Sequence, residues 1–117
     1  MSMNKRSVEQ YMEAFARSDH AGVRSCLSDD VEWVIPGAFH LHGKVEFDGE
    51  IENPAFVGSP TIRVSRLTEE GGVIVAEGSV RCARLTDGFL NAVFCDVFEM
   101  QDTKIRWLTS YLMQLPD

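Results

Sequence analysis

Every helical signal in this chain precedes residue 60, and the remainder reads almost wholly as strand. Val8, Tyr11, Met12 and Phe15 fall at i, i+3, i+4 and i+7, the apolar stripe of an amphipathic helix. Ser7 and Gln10 have the spacing of a capping box, although an earlier start is equally compatible. Ser18-Asp19 breaks that helix, and Asp19 is placed to cap a second one carrying Val23, Cys26 and Leu27. Val31, Trp33 and Ile35 then alternate with Glu32 and Val34, a strand that Pro36-Gly37 ends.

Between 36 and 60 the signals are weak. A third helix over Gly43 to Glu52 would have to contain Gly49, and Pro54 and Pro60 bracket irregular chain. Ile62 and Val64 alternate, Gly71-Gly72 turns, residues 73 to 85 and 89 to 100 form a hairpin across Asp87-Gly88, and a last strand covers about 104 to 115. Helices first and strands after imply an α+β fold, a cone-shaped, curved antiparallel sheet wrapped around the N-terminal helices. With 117 residues, 44% of them hydrophobic, the chain suits one domain over 1–117 and is not a disordered one.

A two-residue turn at Asp87-Gly88 makes Thr86 face Phe89, Ser79 face Asp96, Glu77 face Phe98 and Arg81 face Phe94. One sheet face then carries Glu77, Ser79, Arg81, Phe94, Asp96 and Phe98. The other carries Val80, Cys82, Val93, Cys95 and Val97, extended on the last strand by either Trp107 and Tyr111 or Leu108 and Leu112. A bulge or a one-residue slip would break these pairings. No helix is left in the sequence to cover the second face, so a homodimer through it is the expected assembly. Cys82 and Cys95 read there as inert packing residues.

Composition narrows the partners. A net charge of −7 argues against nucleic acid and anionic membranes. No apolar run reaches the ~18 residues a membrane helix needs. The N-terminal segment carries charge without a following apolar block, unlike a signal peptide. Three cysteines without metal-type spacing suggest a reduced, cytoplasmic setting. There is no phosphate-binding loop, nucleophile–base set or redox motif, and no external cofactor is implied. His40-Leu-His42 could place two imidazoles on one side of an extended segment. A metal site needs about three protein ligands, and Asp48 or Glu50 would have to complete it. No metal is expected, and the histidines read as a surface loop or the mouth of a pocket. Glu46, Asp48, Glu50 and Glu52 read as a solvated acidic face.

The helix–turn–helix–strand of Tyr11 to Gly37, with Asp29-Asp30 opening the strand and Trp33 on it, and the closing pair Asp96-Val-Phe-Glu-Met to Lys104-Ile-Arg-Trp-Leu-Thr-Ser-Tyr111, resemble a known superfamily. It is that of nuclear transport factor 2 (NTF2), ketosteroid isomerase and the SnoaL-like polyketide cyclases. Element order matches over nearly the whole chain. The resemblance implies that Tyr11 stands at the isomerase's helix tyrosine and Asp96 at its strand acid, a carboxylic acid kept neutral by apolar surroundings. The base position falls on Ile35, which cannot take a proton. Limonene epoxide hydrolase, another relative, uses an Arg and two Asp around a water; the matching positions here are Glu77, Ser79 and Ser110, and all three depart from that pattern. Relatives commonly dimerise through the outer sheet face.

The expected site therefore combines Tyr11 and Asp96 as oxyanion donors, with Glu77 as a substitute base. Trp33, Ile35, Ser79, Arg81, Phe94, Phe98 and Ser110 would line the pocket. Its ligand would be a small, mostly apolar molecule with one carbonyl or hydroxyl, and any reaction a cofactor-independent isomerisation, cyclisation or lyase-type proton transfer. Other roles stay open: Tyr11 as a packing aromatic, Asp96 in an ion pair with Arg81 or bonded to Ser79, Glu77 solvated at the rim, Trp33 as core. A non-catalytic dimerisation or protein-interaction module of the same fold is the alternative.

Overall fold

In the computed structural model, which describes residues 2–116, three helices and the first two strands occupy the N-terminal part, four long strands follow, and all six strands form one sheet. The first helix, α1, spans Met3–Ala16 and is capped by Ser2, whose hydroxyl accepts from the Lys5 N–H; the Ser7 and Gln10 pair lies inside it. Val8, Tyr11 and Met12 are buried along its inner stripe. Asp19 caps α2 (His20–Ser25) by accepting from the Gly22 N–H. Strand β1 (Leu27–Ile35) comes next, then the short β2 (Phe39–His42) and α3 (Gly43–Asp48). The third helix thus stops at Asp48 instead of reaching Glu52, with Gly49 as its C-cap.

The remaining strands are β3 (Phe56–Glu70), β4 (Val73–Arg84), β5 (Phe89–Gln101) and β6 (Lys104–Gln114). Pro60 lies within β3, not in irregular chain. It is tolerated because β3 is an edge strand and the ladder is interrupted between Val57 and Thr61. Sheet order is β2-β1-β6-β5-β4-β3. All neighbours are antiparallel except β1 and β6, which run parallel and join the two ends of the chain. Gly71 and Gly72 turn β3 into β4 at positive φ of 57° and 82°, the geometry a two-residue hairpin loop needs. The curved sheet closes on α1 and α3, and Val8, Phe47, Ile74, Phe98, Ile105 and Leu108 meet in the core between them.

The β4–β5 hairpin departs from the expected register. Its last pair is Ala83 with Phe89, and β4 ends at Arg84, so the four residues Leu85–Gly88 join the strands. The Arg84 N–H donates to the Gly88 carbonyl at 3.0 Å, Gly88 adopts φ 68°, and the Leu85 N–H is held by the Ala55 carbonyl at 2.9 Å. Asp96 accordingly faces Ala76, and Ser79 faces Val93. An offset of three residues is odd, so each β4 side chain appears on the face opposite to the expected one. Ile74, Ala76, Gly78, Val80 and Cys82 point inward with Phe94, Asp96 and Phe98. Glu77, Ser79 and Arg81 point outward with Val93, Cys95 and Val97. On β6 the outer residues are Trp107, Thr109 and Tyr111, and the inner ones Leu108, Ser110 and Leu112.

Gly78 shows why this pairing is tight. A Cβ there would lie 2.0 Å from the Arg63 carbonyl oxygen and 2.9 Å from the Phe94 ring.

Candidate functional site

The concave side of the sheet and the C-terminal half of α1 enclose a cavity of about 840 Å³. Its deep end is aromatic, because Tyr11 and Phe15 come from one face of α1, Trp33 from the inner face of β1 and Phe39 from β2. Trp33 stacks on Phe47 at 4.5 Å and meets Phe39 edge-on at 5.1 Å. Tyr11 packs edge-on against Phe98 at 5.5 Å. Trp33 is therefore both core and cavity wall. Ile35, Phe94, Val80 and Cys82 continue the wall toward the mouth, where Arg17, Ser18, Glu52 and Ser59 meet solvent. The hydroxyls of Ser18 and Ser59 lie 2.9 Å apart across that rim.

Two titratable side chains reach the deep end. Asp96 projects from β5 into the cavity and is 9% exposed. Burial pushes its carboxyl up from the ordinary 3.8 to about 7, and a hydrogen bond with Ser110 offsets part of the rise. Ser110 is its direct partner across the β5–β6 ladder. The Ser110 oxygen already accepts the Trp33 indole N–H at 3.0 Å, which leaves the serine proton free for the carboxyl. No cation faces Asp96 among the described residues lining the cavity deep end. Tyr11 is the second group. Burial, then the charges of Asp96 and Cys26, hold its hydroxyl well above the usual tyrosine value, so it stays a neutral donor.

The structure thus brings Tyr11, Asp96, Trp33, Ile35, Phe94 and Ser110 to one cavity. Phe98 stands behind Tyr11 and does not reach the lumen. Three expected members are elsewhere, because the register turns them outward. Glu77 is ion-paired with Arg66 at 2.6 Å on the convex side, so it is no substitute base. Arg81 lies 3.9 Å over the Phe89 ring and forms no pair with Asp96. Ser79 faces outward between them. Glu77 and Ser79 therefore do not meet Ser110, and no hydrolase-type triad assembles. In exchange, Val80 and Cys82 line the cavity instead of the outer face. Phe39 is a lining residue that the sequence pattern did not single out; the alternation of Phe39-His40-Leu41-His42 was the signal for its strand.

The histidines also move. His20 binds Asp48 at 3.0 Å, so Asp48 is not available to His40 and His42. Those two lie on β2, on the convex side, and neither in a loop nor at the pocket mouth. They converge on Glu32 of β1.

No helix among the described residues is long and apolar enough to cross a membrane.

Comparison with known proteins agrees with this architecture. The family model described as a SnoaL-like domain matches residues 8–108. No protein of curated function matches the sequence. An NTF2-like protein of unknown function from Burkholderia pseudomallei superposes with a TM-score of 0.87 at 23% identity, over 97% of this chain and 92% of that one. An epoxide hydrolase of M. tuberculosis, of the limonene epoxide hydrolase-like type, gives 0.83 at 20% identity, over 95% and 83%. A ketosteroid isomerase-like protein from Kribbella flavida gives 0.76 at 16% identity, over 98% and 81%. At these identities the likeness is one of fold.

Proposed function

This chain belongs to the SnoaL-like family, and from that premise we propose that its cavity binds a small, mostly apolar molecule by a carbonyl or hydroxyl placed between Tyr11 and Asp96. The observation that carries the reading is Asp96 itself. A carboxyl so deeply buried, facing Ala76 across one ladder and only a serine across the other, costs stability unless a ligand uses it. The cavity volume falls within the range of small-molecule pockets, about 300–1,000 Å³. Its aromatic walls suit a fused-ring or aryl compound.

A carbonyl oxygen at the deep end would receive two hydrogen bonds, one from the Tyr11 hydroxyl and one from protonated Asp96. Such donors, fixed before the reaction, stabilise an oxyanion or enolate as it develops. A pKa of about 7 also lets Asp96 exchange a proton at neutral pH. A cofactor-independent isomerisation or cyclisation is the reaction class these two groups fit. Ile35 lines the wall where the ketosteroid isomerases carry their base, so Asp96 is the acid–base group we assign.

The test is titration with 2-naphthol, followed by quenching of tryptophan emission from pH 5 to 9. Binding should weaken as pH rises through about 7. Asp96→Asn keeps a donor and should retain most of the affinity, whereas Asp96→Leu should lose about tenfold or more. Equal binding by wild type and the leucine variant removes the assignment.

A second reading, a non-catalytic interaction module, draws on the convex face. There Val93, Tyr111 and Met113 are exposed side by side on β5 and β6.

A further inference from the structure

On the convex side of β1 a second cluster of chemistry-bearing groups is independent of the cavity. Glu32 and His42 are direct partners in the β1–β2 ladder, and His40, two residues earlier on β2, lies on the same face. Glu32 Oε1 is 3.0 Å from His40 Nε2 and 3.1 Å from His42 Nδ1. The three ligand-type atoms lie within 4.8 Å of one another. We propose that Glu32, His40 and His42 form a binding site for one divalent first-row transition-metal ion of the zinc, cobalt or nickel class.

Three features support this beyond the coincidence of residue types. First, Glu32 Oε1 is near both rings: its distances of 3.0 and 3.1 Å match the roughly 3.0 Å between ligands at right angles on an octahedral ion, and a tetrahedral ion would need them to open to about 3.4 Å. Second, the rings are close together on one face: the imidazoles of His40 and His42 stack at 4.3 Å with 24° between their planes, and His40 meets the Trp107 ring at 5.5 Å, so a turn of one ring brings both in-plane lone pairs onto one ion. Third, the carboxylate is oriented from behind. Arg106 holds Glu32 Oε2 at 3.3 Å and is itself held by Asp30 at 3.1 Å, which leaves Oε1 aimed at the two rings. An outer partner of this kind fixes a metal ligand and tunes its affinity. Two imidazoles and a carboxylate suit these metals better than calcium or magnesium, which prefer oxygen. His40 and His42 are exposed, so water can fill the remaining coordination positions.

The ion would not touch a ligand in the cavity, because Trp33 and Glu32 leave opposite faces of β1. It would tie the short edge strand β2 to β1. Phe39, which pairs with Ile35 at the far end of the same ladder, is a cavity wall. Metal binding on one side of the sheet therefore bears on the shape of the pocket on the other.

The experiment uses the full chain without an affinity tag, stripped with chelator, titrated with Co²⁺ by visible absorption and with Zn²⁺ by equilibrium dialysis near pH 7.5. One saturable equivalent per chain is the expected result. His40→Ala, His42→Ala and Glu32→Gln should each weaken binding by on the order of a hundredfold, and Arg106→Ala by about tenfold. His20→Ala should leave it unchanged, since His20 belongs to the Asp48 pair. In the wild type, Co²⁺ should broaden the backbone amide signals of residues 32, 40 and 42 before any others, a readout that needs no variant. Absence of saturable binding below millimolar metal, binding that survives loss of both His40 and His42, or broadening centred elsewhere would each overturn the proposal.

Discussion

Asp96 and Ser110 face one another across the β5–β6 ladder, and the serine oxygen is simultaneously the acceptor for the Trp33 indole. The buried acid is thus joined through one hydroxyl to the aromatic wall of the cavity. Its properties can be tested through either neighbour.

The pH dependence of stability stems from the raised pKa. Asp96 holds its proton more tightly in the folded chain, at about 7 against an ordinary 3.8. The folded state is therefore favoured fully below the unfolded value, and that contribution is lost as pH rises from about 4 through 7. Asp96→Asn has nothing to ionise. Urea unfolding of both proteins should show the variant gaining relative to wild type between pH 4.5 and 8, by up to about 4 kcal/mol. A constant difference across that range would mean that the carboxyl is not held neutral.

Ser110→Ala removes a partner from both sides at once. It strands the Trp33 N–H and withdraws the hydrogen bond that lowers the Asp96 pKa. Stability should fall by about 1–3 kcal/mol. The midpoint of Asp96 titration, read by the carboxyl carbon NMR shift, should move up. Ser110→Thr keeps the hydroxyl and should restore the midpoint.

Gly78→Ala should cost about 3 kcal/mol, the upper end for an overpacked interior. The added methyl meets the Arg63 carbonyl, which belongs to the neighbouring strand and cannot rotate aside. Thermal melting compares it with Gly49→Ala, where the nearest atom is 3.4 Å away and the loss should be small.

We expect a homodimer in solution through the convex face. The exposed apolar surface there is Val93 with Tyr111 and Met113, flanked by the half-buried Cys95 and Val97. Light scattering at micromolar concentration should give twice the chain mass, and Val93→Asp should shift it to monomer, since a buried unpaired charge is costly. A stable wild-type monomer would dismiss the assembly and leave that surface to a different partner.

Much of this architecture was written locally. The helix stripe of Val8, Tyr11 and Met12, the Asp19 cap and the alternation around Trp33 each depend on residues close in sequence, and each stands where local spacing puts it. So does the inward set Phe94, Asp96 and Phe98 on β5. Register across the β4–β5 hairpin was not local. Asp87-Gly88 has the composition of a two-residue turn, yet the loop is wider, and its Leu85 N–H bonds Ala55, thirty residues upstream. The observed register turns Glu77, Ser79 and Arg81 out of the site and brings Val80 and Cys82 in, with Ile74, Ala76 and Cys82 buried on the inner face. Glu32 escaped notice beside His40 and His42 for a related reason. Its partner strand was too short, and too close to Pro36-Gly37 and Gly43, to stand out from irregular chain.

The parallel β1–β6 pairing sets the order in which the molecule can be completed. Ile105 donates its N–H to the Cys26 carbonyl at 2.9 Å, and Leu108 stands beside Trp33. Until β6 exists, β1 and β2 have no strand to join, and α1 meets the β3–β5 meander only through β3, β4 and Phe98. On a ribosome the sheet cannot close until residues 104–114 are made, and the place of Leu108 beside Trp33 stays open until then. Contacts this distant in sequence make folding slow. A nascent chain ending at residue 103 should remain open to protease, and the full chain should become resistant only after β6 has cleared the exit tunnel.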